Sequence, residues 1–219
     1  MSGHLSPAGA RRAFLLLTLT RWFPVGLVVG LFTLLPLERG LDIGATLLAL
    51  SLMGLVVFAL ELPTSGFADA MGRRPVLVAS AVVNVGASVV MLLADSFVGF
   101  AVAAALQGVF RALDSGPLEA WFVDTVHATT PGADVDRTLA AQGTVLGAAM
   151  AAGAVVSGGL VAWHPLPVGS ALLLPFLVWT GLNVVHLVAV LVLMREPVTR
   201  LDGTGLRRAA GSARRAPGR

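Results

Sequence analysis

The 219-residue chain has no cysteine and no lysine, and little charge of either sign. Without cysteine there is no disulfide framework, no thiol nucleophile and no thiolate-bound metal. All fifteen basic residues are arginine, so the sequence pI of about 11.2 reflects residue type more than net charge, which is only +3. Charged residues make up 12% of the chain and hydrophobic ones 56%, with a mean hydropathy of +0.86. A soluble domain carries about a quarter charged residues. This chain cannot cover a water-facing surface, and a lipid bilayer is its expected solvent. A phosphate-binding basic face needs a soluble surface, and most of these arginines border apolar runs, so nucleic acid is not an expected partner. A histidine-rich metal constellation, a serine–histidine–aspartate arrangement and a nucleotide-binding loop are also missing. The sequence therefore points to no enzymatic activity, no cofactor and no ATP-driven pump.

What is present is length in apolar runs. A membrane span needs about 20 mostly apolar residues. Six stretches qualify, at roughly Ala13–Leu37, Ile43–Leu62, Val76–Leu93, Val98–Val123, Leu139–Trp163 and Val168–Met194. The first is not a cleaved signal peptide, because its apolar run is too long and Arg21 interrupts it. In lipid each backbone group must be satisfied within its own segment, so these spans are expected to be helices. The expected organisation is an N-terminus over residues 1–12, a six-helix membrane domain over 13–194, and an arginine-, glycine- and alanine-rich tail over 195–219.

Arginine placement sets the expected orientation. With the N-terminus in the cytoplasm, twelve arginines lie inside, Arg39 alone lies outside, and Arg21 and Arg111 fall within spans. By the positive-inside rule, both termini are expected on the cytoplasmic side of a cell inner membrane.

One short loop, "SGFADAMGRRPVL" (Ser65–Leu77), concentrates charge and glycine between two apolar runs. A tight turn with two topology-setting arginines accounts for Arg73 and Arg74. It does not account for Asp69, an acid that works against the charge bias. The stretch resembles the loop between helices two and three of the major facilitator superfamily, which reads Gly-x-Leu-Ala-Asp-Arg-x-Gly-Arg-Arg/Lys-x-x-Leu. Ala68, Asp69, Gly72, Arg73, Arg74 and Leu77 match, while Ser65, Phe67 and Ala70 depart from it. The preceding "ELPT" (Glu61–Thr64) is common in the drug-exporter-like members. The resemblance implies secondary transport of a small molecule, with Asp69, Gly72, Arg73, Arg74 and Asp124 as a gating motif. Arg73 would sit between the carboxylates of Asp69 and Asp124, a bidentate contact that can open and close. The same triad would also simply fix helix two against helix four.

Four ionisable residues within spans are candidates for handling substrate or protons: Arg21, Glu61, Arg111 and Asp114. Arg111, Asp114 and Ser115 share one helical face at i, i+3 and i+4, which makes Asp114 the expected partner of Arg111. Arg111 lies about 18 Å from the cytoplasmic end at 1.5 Å per residue, deep enough that its burial is costly unless answered. Pro117 is expected to kink the helix. The alternative is that these charges only lock the bundle. In span five, Gly143 and Gly147 form a small-xxx-small pair that permits close helix approach. The Gly-Pro step of the family's antiporters is missing there, since Ala148 follows Gly147. Asn183 and His186 in span six read as a helix contact rather than a site.

The resemblance covers one half of the family's twelve-helix plan, a fold of two inverted three-helix repeats in each half. The tail resembles the start of that family's central linker. On this resemblance the chain is expected to be a truncated or half-length transporter that pairs with a second copy or a separate C-terminal half. Alone it is not expected to sustain coupled transport. The alternative is a non-transporting membrane subunit or the inert remnant of a transporter.

Overall fold

The structure is a computed structural model that describes residues 5–164 and 169–194, leaving aside the side chains of 62–70. The expected cytoplasmic tail, most of the "HPLP" linker and the Asp69 carboxylate fall outside this description. Among the described residues every regular element is a helix: α1 (Pro7–Val28), α2 (Leu34–Glu38), α3 (Ile43–Met71), α4 (Arg73–Leu93), α5 (Phe97–Asp114), α6 (Pro117–Thr129), α7 (Asp136–Trp163) and α8 (Leu173–Leu193).

Among the described residues five helical stretches are long and apolar enough to cross a membrane: Ile43–Glu61, Arg73–Leu93, Phe97–Thr129, Asp136–Trp163 and Leu173–Leu193. The chain is therefore an all-α, multi-pass membrane protein in its architecture. The expected first span is built differently. Its helix begins at Pro7, six residues before the apolar run, and so takes in Arg11 and Arg12 as well as Arg21. It ends at Val28, and residues 29–33 turn before the short α2.

Local chemistry sets the ends of the helices. Ser6, Asp42 and Ser96 each accept a backbone N–H from the first turn of α1, α3 and α5, satisfying one of the orphan donors there. Gly72 alone separates α3 from α4. Its φ of 93° is strained for any residue with a Cβ, and it lets the chain reverse within one residue. At the opposite end Arg39 donates to the carbonyls of Ala94 and Leu92, the latter at 2.7 Å. The single arginine expected outside thus caps the C-terminus of α4, where orphan carbonyls and the helix dipole favour a cation. Arg74 does the same for α8 through Leu191 O at 3.0 Å.

In lipid no hydrophobic effect drives helices together, so close packing must hold them. The helix α1 packs on α7 and α8, α3 packs on α5, and α4 packs on α5 and α8. Two glycines allow the α1–α7 crossing: a Cβ on Gly26 would strike the backbone at Met150, and one on Gly153 would strike Phe23 O. Gly108 does the same for α5 against α3, where a Cβ would lie 2.7 Å from Met53 O. The expected small-residue pair in α7 is not the contact, since Gly143 and Gly147 both face open space. The outward faces carry large apolar side chains, with Phe58 80% and Val155 76% exposed.

The interior is layered. One apolar core, toward the Gly72 end, gathers Phe14, Leu17, Trp121, Phe122 and Val190, with Phe14 stacked on Phe122 at 4.6 Å. A second, toward the opposite end, gathers Leu27, Met91, Phe100, Phe176 and Trp179, where Phe32, Phe176 and Trp179 meet edge to face. Between the two cores lies a layer of polar side chains.

Candidate functional site

The polar layer takes one or more residues from each of α1, α4, α5 and α8. Arg21 Nε donates to Asp114 Oδ2 at 2.7 Å, with side-chain exposures of 7% and 17%. The Arg21 guanidinium also lies over the Phe110 ring at 4.1 Å and the Trp22 ring at 4.9 Å. Its charge is therefore met by a carboxylate on one side and by aromatic quadrupoles on others. This corrects the expected pairing, because Asp114 serves Arg21 from another helix rather than its own neighbour Arg111. The reason is local. The helix does not merely kink at Pro117 but breaks before it: Ser115 is extended and Gly116 is left-handed, at φ 92°. Asp114 becomes the last residue of α5, and its carboxylate reaches across to α1.

Arg111 is left exposed and makes no hydrogen bond or ion pair among the described residues. Glu61 lies on an exposed face of α3 and lines neither of the cavities described next. Of the four candidates within spans, the structure thus joins Arg21 to Asp114, places Arg111 beside them and sets Glu61 outside both cavities.

Two cavities meet at this layer. One, of about 290 Å³, is lined by Arg21, Arg111, Asp114, Glu119, Gln142 and His186 among others. The other, of about 210 Å³, is mostly apolar, with Phe32, Met91, Phe110 and Trp179 in its wall and Asn84 and Gln107 as its uncharged polar groups. Arg21, Trp22 and Arg111 line both. In the polar cavity the Glu119 carboxylate accepts from Gln142 of α7. His186 Nδ1 lies 2.9 Å from Thr20 Oγ1, and that hydroxyl reaches Leu17 O at 3.2 Å. With the hydroxyl proton given to Leu17 O, His186 is the donor.

The amides form a relay across three helices. Gln107 Nε2 donates to Asn84 Oδ1 and Asn84 Nδ2 donates to Asn183 Oδ1, both at 3.1 Å. Asn183 and His186 thus serve different partners on different helices rather than each other, and His186 enters the cavity wall. Gln107, Asn84, Gln142 and Trp22 had no place in the sequence reading. Amides inside apolar spans are a usable signal, because an unsatisfied polar group in hydrocarbon is costly, but which helix each amide faces is not in its spacing.

At the Gly72 end, Arg73 Nε lies 3.7 Å from Asp124 Oδ2, with exposures of 26% and 55%. This is an ion pair longer than a hydrogen bond, between the start of α4 and α6. Gly72 is the turn itself, Arg74 anchors the end of α8, and Asp69 supplies no described side chain.

A scan against protein-family models finds no match for this chain, and a search of curated proteins finds none either.

Proposed function

We propose that this chain is a secondary transporter of a small molecule, of the major facilitator type. In this reading its helix bundle forms one wall of the path and its two adjoining cavities form part of the substrate site. The observation that carries the proposal is Arg111. It is an arginine in the middle of a membrane-spanning stretch, exposed, without a charged partner among the described residues, and open to two cavities. Ionisable groups at that depth are costly and mark substrate or ion pathways.

The finer fold, six spans in two inverted three-helix repeats with α1 as the first span, draws support from the packing. Exchange α1, α3 and α4 with α5, α7 and α8 in that order. The α1–α7 seam becomes α5–α3, the α1–α8 seam becomes α5–α4, and α4–α8 becomes itself. Glycines at the α1–α7 and α5–α3 seams fit the same exchange. The broken helix α5–α6 beside the cavities fits the habit of transporters, which build sites where helices are interrupted. The cell inner membrane with the Gly72 end in the cytoplasm is part of the proposal. It accords with Arg11, Arg12, Arg73, Arg74 and Arg137 at that end and Arg39 at the other. The exposure of Arg111 argues that a second bundle, either another copy or a separate half, covers it.

Reconstitution tests this. Full chain in liposomes with an imposed proton gradient is offered a panel of small anions, cations and sugars. The proposal expects saturable, gradient-stimulated uptake of at least one solute, lost in Asp114→Asn and present only in preparations containing dimers or a supplied second half. No uptake of any solute, from monomer or dimer, overturns it in favour of a non-transporting subunit.

A further inference from the structure

The two arginines of the polar layer differ in what surrounds them. Arg21 is buried, paired with Asp114 and sandwiched by rings. Arg111 has none of these among the described residues, and none of its five N–H donors has a partner there. Asp114 is paired with Arg21, and Glu119, which accepts from the Gln142 amide, lines only the polar cavity. Among the residues that line the apolar chamber Arg21 and Arg111 are the charged groups and none is a carboxylate, so a neutral ligand there leaves the Arg111 charge unanswered and a cationic one adds to it. An anion with two oxygens fits the guanidinium fork in bidentate fashion.

Beside that fork is an apolar chamber of about 210 Å³ walled by Phe32, Met91, Phe110 and Trp179. A dry cavity of about 150 Å³ already holds benzene, so this chamber accepts a fused aromatic pair or a short alkyl chain. Arg111 borders both this chamber and the polar one, so a single ligand can place its charge and its apolar body on either side of it.

We propose that the ligand of this site is an amphipathic organic anion, its carboxylate or phosphate oxygens on Arg111 and its apolar body among Phe32, Met91, Phe110 and Trp179. The proposal rests on the transport reading only in naming the substrate class of the same site. The anion can come from a free organic acid or from a lipid headgroup.

The test is binding at equilibrium with no gradient. Full chain in nanodiscs of zwitterionic lipid is titrated with 2-naphthoate and with its neutral isostere 2-naphthamide. Quenching of Trp22 and Trp179, which line the chamber, gives the readout. The wild type binds the anion more tightly than the amide by about tenfold or more, the effect of one charge-assisted pair. Arg111→Gln removes that preference, and Arg111→Lys, which keeps charge but loses the fork, retains part of it. Equal affinity for the two probes in the wild type overturns the proposal. So does a preference that survives unchanged in both variants. The wild-type comparison decides even where the Gln variant fails to fold. In nanodiscs containing phosphatidylglycerol, loss of naphthoate binding in the wild type supports the anion site with a lipid as its source, and undiminished binding supports it with a free acid. Anion preference without gradient-driven uptake keeps this site and overturns the transport reading. Uptake of neutral or cationic solutes without anion preference does the reverse.

Discussion

Two arginine–aspartate pairs in this protein share their chemistry and differ in everything around it. Arg21–Asp114 sits between the two apolar cores at 2.7 Å, nearly sealed from the outside. Arg73–Asp124 sits at the Gly72 end at 3.7 Å, with Asp124 more than half exposed. Each pair ties two helices from distant parts of the chain. The difference teaches that burial, not the identity of the partners, decides which pair is fixed and which can yield. At the inner pair, losing either partner strands a charge in a low dielectric. At the outer pair, water and salt replace whichever partner leaves. The inner pair therefore holds α1 on α5 and leaves Arg111 without a described partner, while the outer pair loses less when either partner is removed.

The largest effect is expected at the inner pair. Asp114→Asn leaves Arg21 uncompensated and should destabilise the bundle by about 3–5 kcal/mol, read as a lowered thermal midpoint in detergent. Replacing both partners, as Arg21→Met with Asp114→Leu, should recover most of that loss, since an apolar pair of similar volume often matches a buried ion pair. A double variant no better than the single one would mean that the rings over Arg21, rather than Asp114, hold the site.

The second effect concerns the seam that carries Arg21. Gly153→Leu should cost about 1–3 kcal/mol or more by overpacking, because Phe23 O and Gly26 occupy the space. Gly147→Leu, on the same helix but facing open space, should stay within about 0.5 kcal/mol. Equal costs at the two positions would contradict the α1–α7 crossing. The smallest effect is expected at the outer pair. Arg73→Gln should change stability by about 0–1 kcal/mol. What it should change is the balance between conformations, visible as altered protease access at the Gly72 end.

The contrast between the pairs also marks what could be read in advance. Long apolar runs announce helices because lipid admits little else, and five long apolar stretches followed that reading. The first is helical too, as α1, but with other bounds, because a run of apolar letters from Ala13 to Leu37 hides a turn at 29–33 and an early helix start that draws in two more arginines. Arg73 and Asp124 could be matched by pattern because the motif specifies their positions, although only Arg73 stands at a helix end and Asp124 lies within α6, which runs on to Thr129. The partner of Asp114 could not. Spacing along one helix offers Arg111 three residues away, whereas the observed partner is 93 residues distant and was selected by the break at Ser115–Gly116. Pro117 signalled a bend there, but the left-handed Gly116 makes it an interruption. The glycines of α7 were visible as a class, yet only the packed structure separates Gly153 from Gly143 and Gly147.

The most direct measurement is a pair of double-mutant cycles under one set of conditions: Arg21→Gln with Asp114→Asn, and Arg73→Gln with Asp124→Asn. Residues in contact couple by about 0.5–3 kcal/mol and exposed pairs by about 0–1 kcal/mol. The account predicts a coupling near the top of that range for the inner pair, insensitive to salt. For the outer pair it predicts a coupling near zero that vanishes as salt is raised. Equal couplings, or a salt-sensitive inner pair, would contradict the claim that burial makes one contact a fixed part of the site and exposure leaves the other weak.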